Sequence, residues 1–216
     1  ERISELIREK ALQLTRDVAT QYMLPLISLA HRPRAELAAV IGQGSGITSH
    51  VLLGSPYLKE VATIEIEPEM VAGSAHFMPA NRRVFEDARA RFVIDDAKSY
   101  FASSGRRFDL IISEPSNPWV SGVSGLFTQE FYARVNDQLT DDGIFGQWLH
   151  LYELSDGLVN SVLAAIDTVF PAYEVFYTSD ADIVVVAPKR RGPMPAWGCG
   201  AVPEIAHGMG NGRAVA

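Results

Sequence analysis

The sequence predicts an α/β fold: a mostly parallel seven-stranded sheet with helices on both faces and an antiparallel hairpin at its C-terminal end. Three observations carry this reading. Short continuous apolar runs alternate with helix-length stretches, as in parallel strands buried on both faces. The first run ends in a glycine-rich turn, Gly42-Gln43-Gly44-Ser45-Gly46, that opens a helix. The last two runs, Tyr173 to Tyr177 and Asp182 to Ala187, are joined only by Thr178-Ser179-Asp180-Ala181. So short a join cannot be a right-handed crossover, and the pair must be antiparallel.

Each element has its own signal. Ile3, Leu6, Ile7, Ala11, Leu14 and Val18 recur at spacings of three and four, which predicts an amphipathic helix from residue 1 to about 23. Pro25 and then Arg32-Pro33 are expected to break it. Strands follow at Leu37 to Ile41, Val61 to Ile66, Arg91 to Ile94, Phe108 to Ile112 and Ile144 to Leu149. Helices are expected after Gly46, over Pro68 to His76, Asp96 to Ser103 and Thr128 to Leu139, and from Ser155 to Val169. Asp141-Asp142-Gly143 turns the chain into the fifth strand. From Lys189 onward six Gly and three Pro occur in 28 residues, the composition of a linker or tail. The expected organisation is therefore a helix and loop over 1–36, a nucleoside-binding domain over 37–188 and a tail over 189–216.

Composition narrows the function. Nineteen Lys and Arg against 26 Asp and Glu leave a formal charge of −7, which argues against a nucleic-acid partner. A 47% apolar content fits a globular chain. The longest apolar stretch, Met23 to Ala30, is too short to span a bilayer. The single Cys199 excludes a disulfide framework, and no metal site is expected. The chain begins at Glu1 without a Met or a signal-peptide pattern and ends in the Gly-rich tail, so we expect it to be part of a longer protein.

The glycine turn is the most informative element. Glycines let the backbone turn sharply and approach a ligand closely, and the helix N-terminus offers free N–H groups. The spacing is G-x-G-x-G; a dinucleotide fingerprint would need glycine where Ile47 stands. A cofactor without a pyrophosphate fits better. Gly42, Gln43, Gly44, Ser45 and Gly46 are the candidate cofactor loop. Glu65, about 20 residues on at the end of the second strand, can accept both ribose hydroxyls, with Ile66 beside it. Asp96, followed by Ala97, ends the third strand at the same crevice; it can take an adenine amino group or cap the next helix, and Asp95 competes for either role. A parallel sheet closed by an antiparallel hairpin is the Rossmann-like methyltransferase fold of S-adenosylmethionine-dependent transferases.

The chemistry is expected after the fourth strand, where Ser113-Glu114-Pro115-Ser116-Asn117-Pro118-Trp119 forms a stiff loop on the ligand-facing edge. Glu114 is the candidate base, or else a loop-end carboxylate. Asn117 could orient an acceptor amine or form an Asx-turn before Pro118. Trp119 could wall the acceptor pocket or serve as a core aromatic. Gln147, Trp148 and His150 lead to Tyr152 and Glu153 at the same edge.

From about Leu37 to Tyr152 the chain resembles the polyamine aminopropyltransferases, the spermidine and spermine synthases, and most of all their shortened or fused members. The matching pieces are the glycine loop, Ala62-Thr63-Ile64-Glu65-Ile66-Glu67, Asp96-Ala97, Phe108-Asp109-Leu110-Ile111-Ile112, the loop through Pro118, Leu126-Phe127 and Phe131-Tyr132. The resemblance implies that Glu65 holds the ribose of a sulfonium nucleoside and that Asp96 contacts its adenine. It places the family's two catalytic-loop acids at Glu114 and Asn117, and Tyr152 toward the substrate. It implies S-adenosylmethionine or its decarboxylated form as donor, an amine such as a polyamine as acceptor, a homodimer, and a cytoplasmic domain whose parent may carry a membrane anchor in fused members. Three departures accompany it: Ser45 stands where members carry Asp, Asn117 replaces an acid, and no β-hairpin domain precedes the core. Aminopropyl transfer, methyl transfer and a non-catalytic nucleoside-binding role are the readings these features leave.

Overall fold

The computed structural model describes residues 18–115, 123–151, 154–179, 181–191 and 212–215. Its leading helix, α1, covers 18–31. The sequence reading stopped this helix before Pro25; the structure carries it on by two turns. A proline inside a helix cannot donate to the carbonyl four residues back, here that of Gln21. That carbonyl accepts instead from the Thr48 hydroxyl, Oγ1 to O 3.1 Å, so a neighbouring helix supplies the missing donor. The face of α1 that meets the sheet carries Thr20, Leu24, Ile27 and Ser28, all buried.

Strands β1 (Leu37–Ile41), β2 (Glu60–Glu65), β3 (Ala90–Ile94), β4 (Phe108–Ser113) and β5 (Leu139–His150) pair in parallel. β6 (Tyr173–Ser179) and β7 (Asp182–Pro188) form the antiparallel hairpin, and β7 pairs antiparallel with β5. The order is β3-β2-β1-β4-β5-β7-β6-β8. β8 (Gly212–Val215) is an addition to the seven expected strands: part of the stretch read as tail pairs in parallel with β6. β5 starts at Leu139, earlier than expected, with an irregular register between Phe108 and Leu110.

The helices α2 (Ile47–Leu52), α3 (Pro68–Ser74), α4 (Arg83–Glu86), α5 (Ala97–Ser103), α6 (Gln129–Gln138) and α7 (Asp156–Asp167) fill the connections. Asp96, Thr128 and Ser155 cap α5, α6 and α7 by accepting from Ser99, Phe131 and Leu158 N–H groups. Strand side chains alternate between two cores. Ala39, Ile41, Ile64 and Phe145 pack with Phe101, Phe131 and Leu163 of α5–α7. Ala38, Val40, Leu110 and Ile112 pack with Leu24, Leu52 and Val84 of α1, α2 and α4. The Phe145 and Phe170 rings stack at 5.6 Å with 8° between their planes. No helix among the described residues is long and apolar enough to cross a membrane.

The order reverses at β1, which has β2 on one side and β4 on the other. A crevice therefore opens beyond the C-terminal ends of these strands, where the connections leave for opposite faces. α1 packs on one face of the sheet, and the contact is tight at Gly146 of β5. A β-carbon there would sit 2.6 Å from Ser28 Oγ and 3.2 Å from Leu24 Cδ1. We predict that Gly146→Ala pushes α1 off the sheet and lowers stability by about 1–3 kcal/mol. Urea unfolding of the variant checks this; an unchanged midpoint and slope would show that the contact yields freely.

Candidate active site

The glycine loop needs its glycines for conformation and for space. Gly42, Gly44 and Gly46 all have positive φ, at 93°, 46° and 78°. A side chain on Gly42 would also press within 3.2 Å of the Glu114 carbonyl oxygen. Glu65, at the end of β2, pins this loop. Its Oε2 accepts from the Gln43 N–H at 2.9 Å and its Oε1 from the Glu67 N–H at 3.0 Å. Each oxygen keeps a further lone pair for a ligand hydroxyl.

The crevice holds about 350 Å³, and Gly42, Gly44, Glu65, Ile66, Asp96 and Glu114 line it together with Ala97 and Met70. Ile66 is 68% exposed and Met70 45%, so their apolar side chains face open space of the kind a flat base would cover. Asp96 caps a helix and also faces the crevice. Its Oδ1 accepts from the Ser99 N–H at 3.0 Å, capping α5, while the residue still lines the crevice.

Two members of the predicted loop, Gln43 and Ser45, turn their side chains elsewhere. Gln43 is buried and donates from Nε2 to Ser74 Oγ at 2.9 Å. Gly46 packs against that amide: a β-carbon there would meet Gln43 Nε2 at 2.7 Å. Ser45 Oγ donates to Gln21 Oε1 of α1 at 2.5 Å and accepts from the Ile47 N–H at 3.2 Å. Asn117, Trp119 and Tyr152 lie outside the described residues.

Glu114 follows β4 and is fixed by its own N–H, which donates to the Ile41 carbonyl at 3.1 Å. The residue is partly buried and lines the crevice. Burial pushes its carboxyl up to about 7, against the opposing effect of a hydrogen bond from Thr48 Oγ1 to Oε1. Such a group exchanges its proton near neutral pH, as a general base must.

Sequence reasoning gave no role to two polar residues around this edge. Thr48 and Gln21 look ordinary on their helices, and only packing brings them to Ser45 and Glu114. Ser113 and Gln147 are ladder neighbours on β4 and β5, both fully buried. Gln147 Oε1 accepts from the Tyr132 hydroxyl at 2.8 Å, while Gln147 Nε2 and Ser113 Oγ have no hydrogen-bond partner among the described residues. Burial pushes the Tyr132 phenol far above its ordinary value. On the opposite face, the nearly inaccessible Asp182 accepts from Trp148 Nε1 at 2.9 Å and from Ser179 Oγ at 2.8 Å, and pairs with His150 Nδ1 at 2.8 Å. Burial opposes ionisation of Asp182, yet the bonds from His150, Ser179 and Trp148 together hold its carboxyl below the ordinary range. Among the described residues, no group of three His, Cys, Asp or Glu is placed to hold a metal ion.

The chain is similar to known proteins. The polyamine aminopropyltransferase of Caldicellulosiruptor bescii is 26% identical over 175 residues, covering 79% of this chain and 62% of that protein. The Bacillus subtilis polyamine aminopropyltransferase is 26% identical over 154 residues, covering 71% and 55%. The chain thus spans about three fifths of the length of such relatives. Among solved structures, a spermidine synthase in complex with the transition-state analogue AdoDATO superposes with a TM-score of 0.74 at 24% identity, over 82% of this chain and 62% of that one. Human methyltransferase-like protein 13 in complex with SAH superposes at 0.61 and 22% identity, over 90% and 86%. At these identities the structural likeness concerns the fold. The spermine/spermidine synthase domain matches residues 18–180, three quarters of the sequence, and the chain belongs to that family.

Proposed function

We propose that this domain transfers an aminopropyl group from decarboxylated S-adenosylmethionine to an amine acceptor such as a polyamine. The observation that carries the proposal is the pair of carboxyls in one crevice, Glu65 at the end of β2 and Glu114 after β4. Glu65 takes the ribose hydroxyls, Asp96 the adenine amino group, and Ile66 and Met70 cover the base. The relatives named as polyamine aminopropyltransferases support the reaction class. So does the AdoDATO complex of the similarly folded spermidine synthase.

Glu114 serves as the base. An alkylammonium acceptor, with a pKa near ~10, is not nucleophilic until it loses a proton. Glu114 takes that proton, and the nitrogen lone pair attacks the carbon next to the sulfonium. The C–N bond forms as the C–S bond breaks, and methylthioadenosine leaves as a neutral thioether. A carboxyl at about 7 is a stronger base than an ordinary one and still ionised in a large fraction of molecules at neutral pH. Asn117 orients the acceptor, and Trp119 and Tyr152 wall its pocket.

One observation favours a second reading, methyl transfer from S-adenosylmethionine itself. Ser45 is neutral and engaged with Gln21, so the glycine loop presents no acid to repel the donor carboxylate. Calorimetric titration separates the two. Decarboxylated donor binding at least tenfold more tightly than S-adenosylmethionine is the result expected; the reverse preference would replace aminopropyl transfer by methyl transfer. Glu65→Ala should abolish binding of either donor and of methylthioadenosine, and unchanged affinity would move the ribose elsewhere.

Glu114→Gln should keep donor binding and lose turnover. The same variant reports on the buried carboxyl through stability. Unfolded, the group titrates near the ordinary 4.5; folded, it is pushed up to about 7. Between these values the unfolded chain binds fewer protons, so wild-type stability falls as pH rises and levels off above about 7. The penalty amounts to about 2 kcal/mol between pH 5 and pH 8. Glu114→Gln lacks it, so its denaturation midpoint should overtake that of the wild type as pH rises.

A further inference from the structure

The Thr48 hydroxyl stands between two acceptors. It lies within hydrogen-bond reach of Glu114 Oε1 on one side and 3.1 Å from the Gln21 carbonyl oxygen on the other. A hydroxyl carries one proton and can donate only once at a time. The Gln21 carbonyl can only accept, and its helical donor is missing because residue 25 is proline. Gln21 is only partly accessible, and Pro25 one turn on is buried. While Glu114 carries its proton on Oε2, Thr48 is free to donate to Gln21, and that carbonyl keeps a donor; the bond that Thr48 makes to the ionised carboxylate is charge-assisted and the stronger of the two. When Glu114 ionises, Thr48 must turn its proton to the carboxylate, and the Gln21 carbonyl loses its donor.

We propose that Thr48 is a positioning residue that governs the proton on Glu114, and that Pro25 sets the strength of this control by leaving the Gln21 carbonyl dependent on Thr48. The inference rests on the reading of Glu114 as the base and adds what tunes it. It also divides the work between the two carboxyl oxygens. Oε1 faces Thr48, so Oε2 is the oxygen that takes the acceptor's proton: an N–H bond breaks, an O–H bond forms, and the electron pair stays on nitrogen for attack at carbon. The charged groups that line the crevice with Glu114 are Glu65 of β2 and Asp95 and Asp96 at the start of α5, all acids. Their fields favour the protonated carboxyl, as burial does, and none of them is changed by the variants below.

The arrangement predicts opposite effects from two substitutions that touch no charge. Thr48→Val keeps the shape and removes the hydroxyl, so the carboxylate loses its donor and the midpoint of Glu114 rises. Pro25→Ala restores an N–H to the Gln21 carbonyl and frees Thr48 to serve the carboxylate, so the midpoint falls. Each shift should be about one pH unit, the scale of one buried hydrogen bond made or lost. Thr48→Ser restores the hydroxyl and should return the wild-type midpoint.

The test is a ¹³C NMR titration of the protein labelled at glutamate carboxyls, with the Glu114 signal assigned by its loss in Glu114→Gln. Opposite shifts in Thr48→Val and Pro25→Ala, with recovery in Thr48→Ser, support the proposal. Unmoved midpoints, or shifts of the same sign in the two variants, overturn it. The titration needs no substrate, so it stands apart from the proposed reaction. The acidic limb of the pH–rate profile for aminopropyl transfer then tests that reaction separately. If the NMR midpoints shift as described and the limb stays where it is, Glu114 is not the base, although Thr48 still governs its proton.

Discussion

The carboxylate of Glu65, bound to the backbone N–H groups of Gln43 and Glu67, holds together the two strand ends from which the crevice is built. Three glycines with positive φ confer a shape that an unanchored loop would abandon, because glycine has the most conformational freedom to regain. The anchor comes from β2, the parallel neighbour of β1, so the loop is held by the same sheet that presents it. Because the loop is held, Gly42 can lie against the backbone of Glu114 without a β-carbon between them. The two carboxyls therefore reach one crevice through a single packing relation among β2, β1 and β4, although 49 positions separate them in the sequence.

Helix α1 packs against the glycine loop. Its Gln21 meets Ser45 and Thr48, while Thr20, one residue earlier, meets Thr178 of β6 at 2.8 Å. One turn of helix thus touches both the glycine loop and the hairpin. Its hydrogen bonds to the loop are uncharged, and they occupy the serine that stands in place of an acid.

Electrostatics at the crevice do not follow from the net charge of −7. The acids that line it differ in their surroundings. Glu65 accepts two backbone N–H bonds, Asp96 caps a helix, and the partly buried Glu114 carboxyl meets the Thr48 hydroxyl among the described residues. Burial raises the last of these into the range where protons exchange near neutrality. Division of labour among like residues thus comes from hydration and hydrogen bonding rather than from residue type.

Much of this architecture was legible in the sequence. Apolar runs of strand length, glycine spacing and the four-residue join between the last two strands determine the parallel sheet, its hairpin and the loop at its mouth, because burial on both faces and short connections leave few alternatives. They also place Glu65, Asp96 and Glu114 at strand ends, and so at one edge. Local signals failed where a distant group intervenes. Pro25 reads as a helix break, and α1 runs through it because Thr48 supplies the donor that proline lacks. Ser45 reads as a ligand contact, and packing hands it to Gln21. Gly212–Val215 reads as tail, and β6 recruits it as a strand. The sequence by itself determined which carboxyls gather at the crevice. Tertiary structure alone decided that the Glu114 carboxyl is pushed up to about 7, since that depends on exclusion of water and on a hydroxyl far away in the chain.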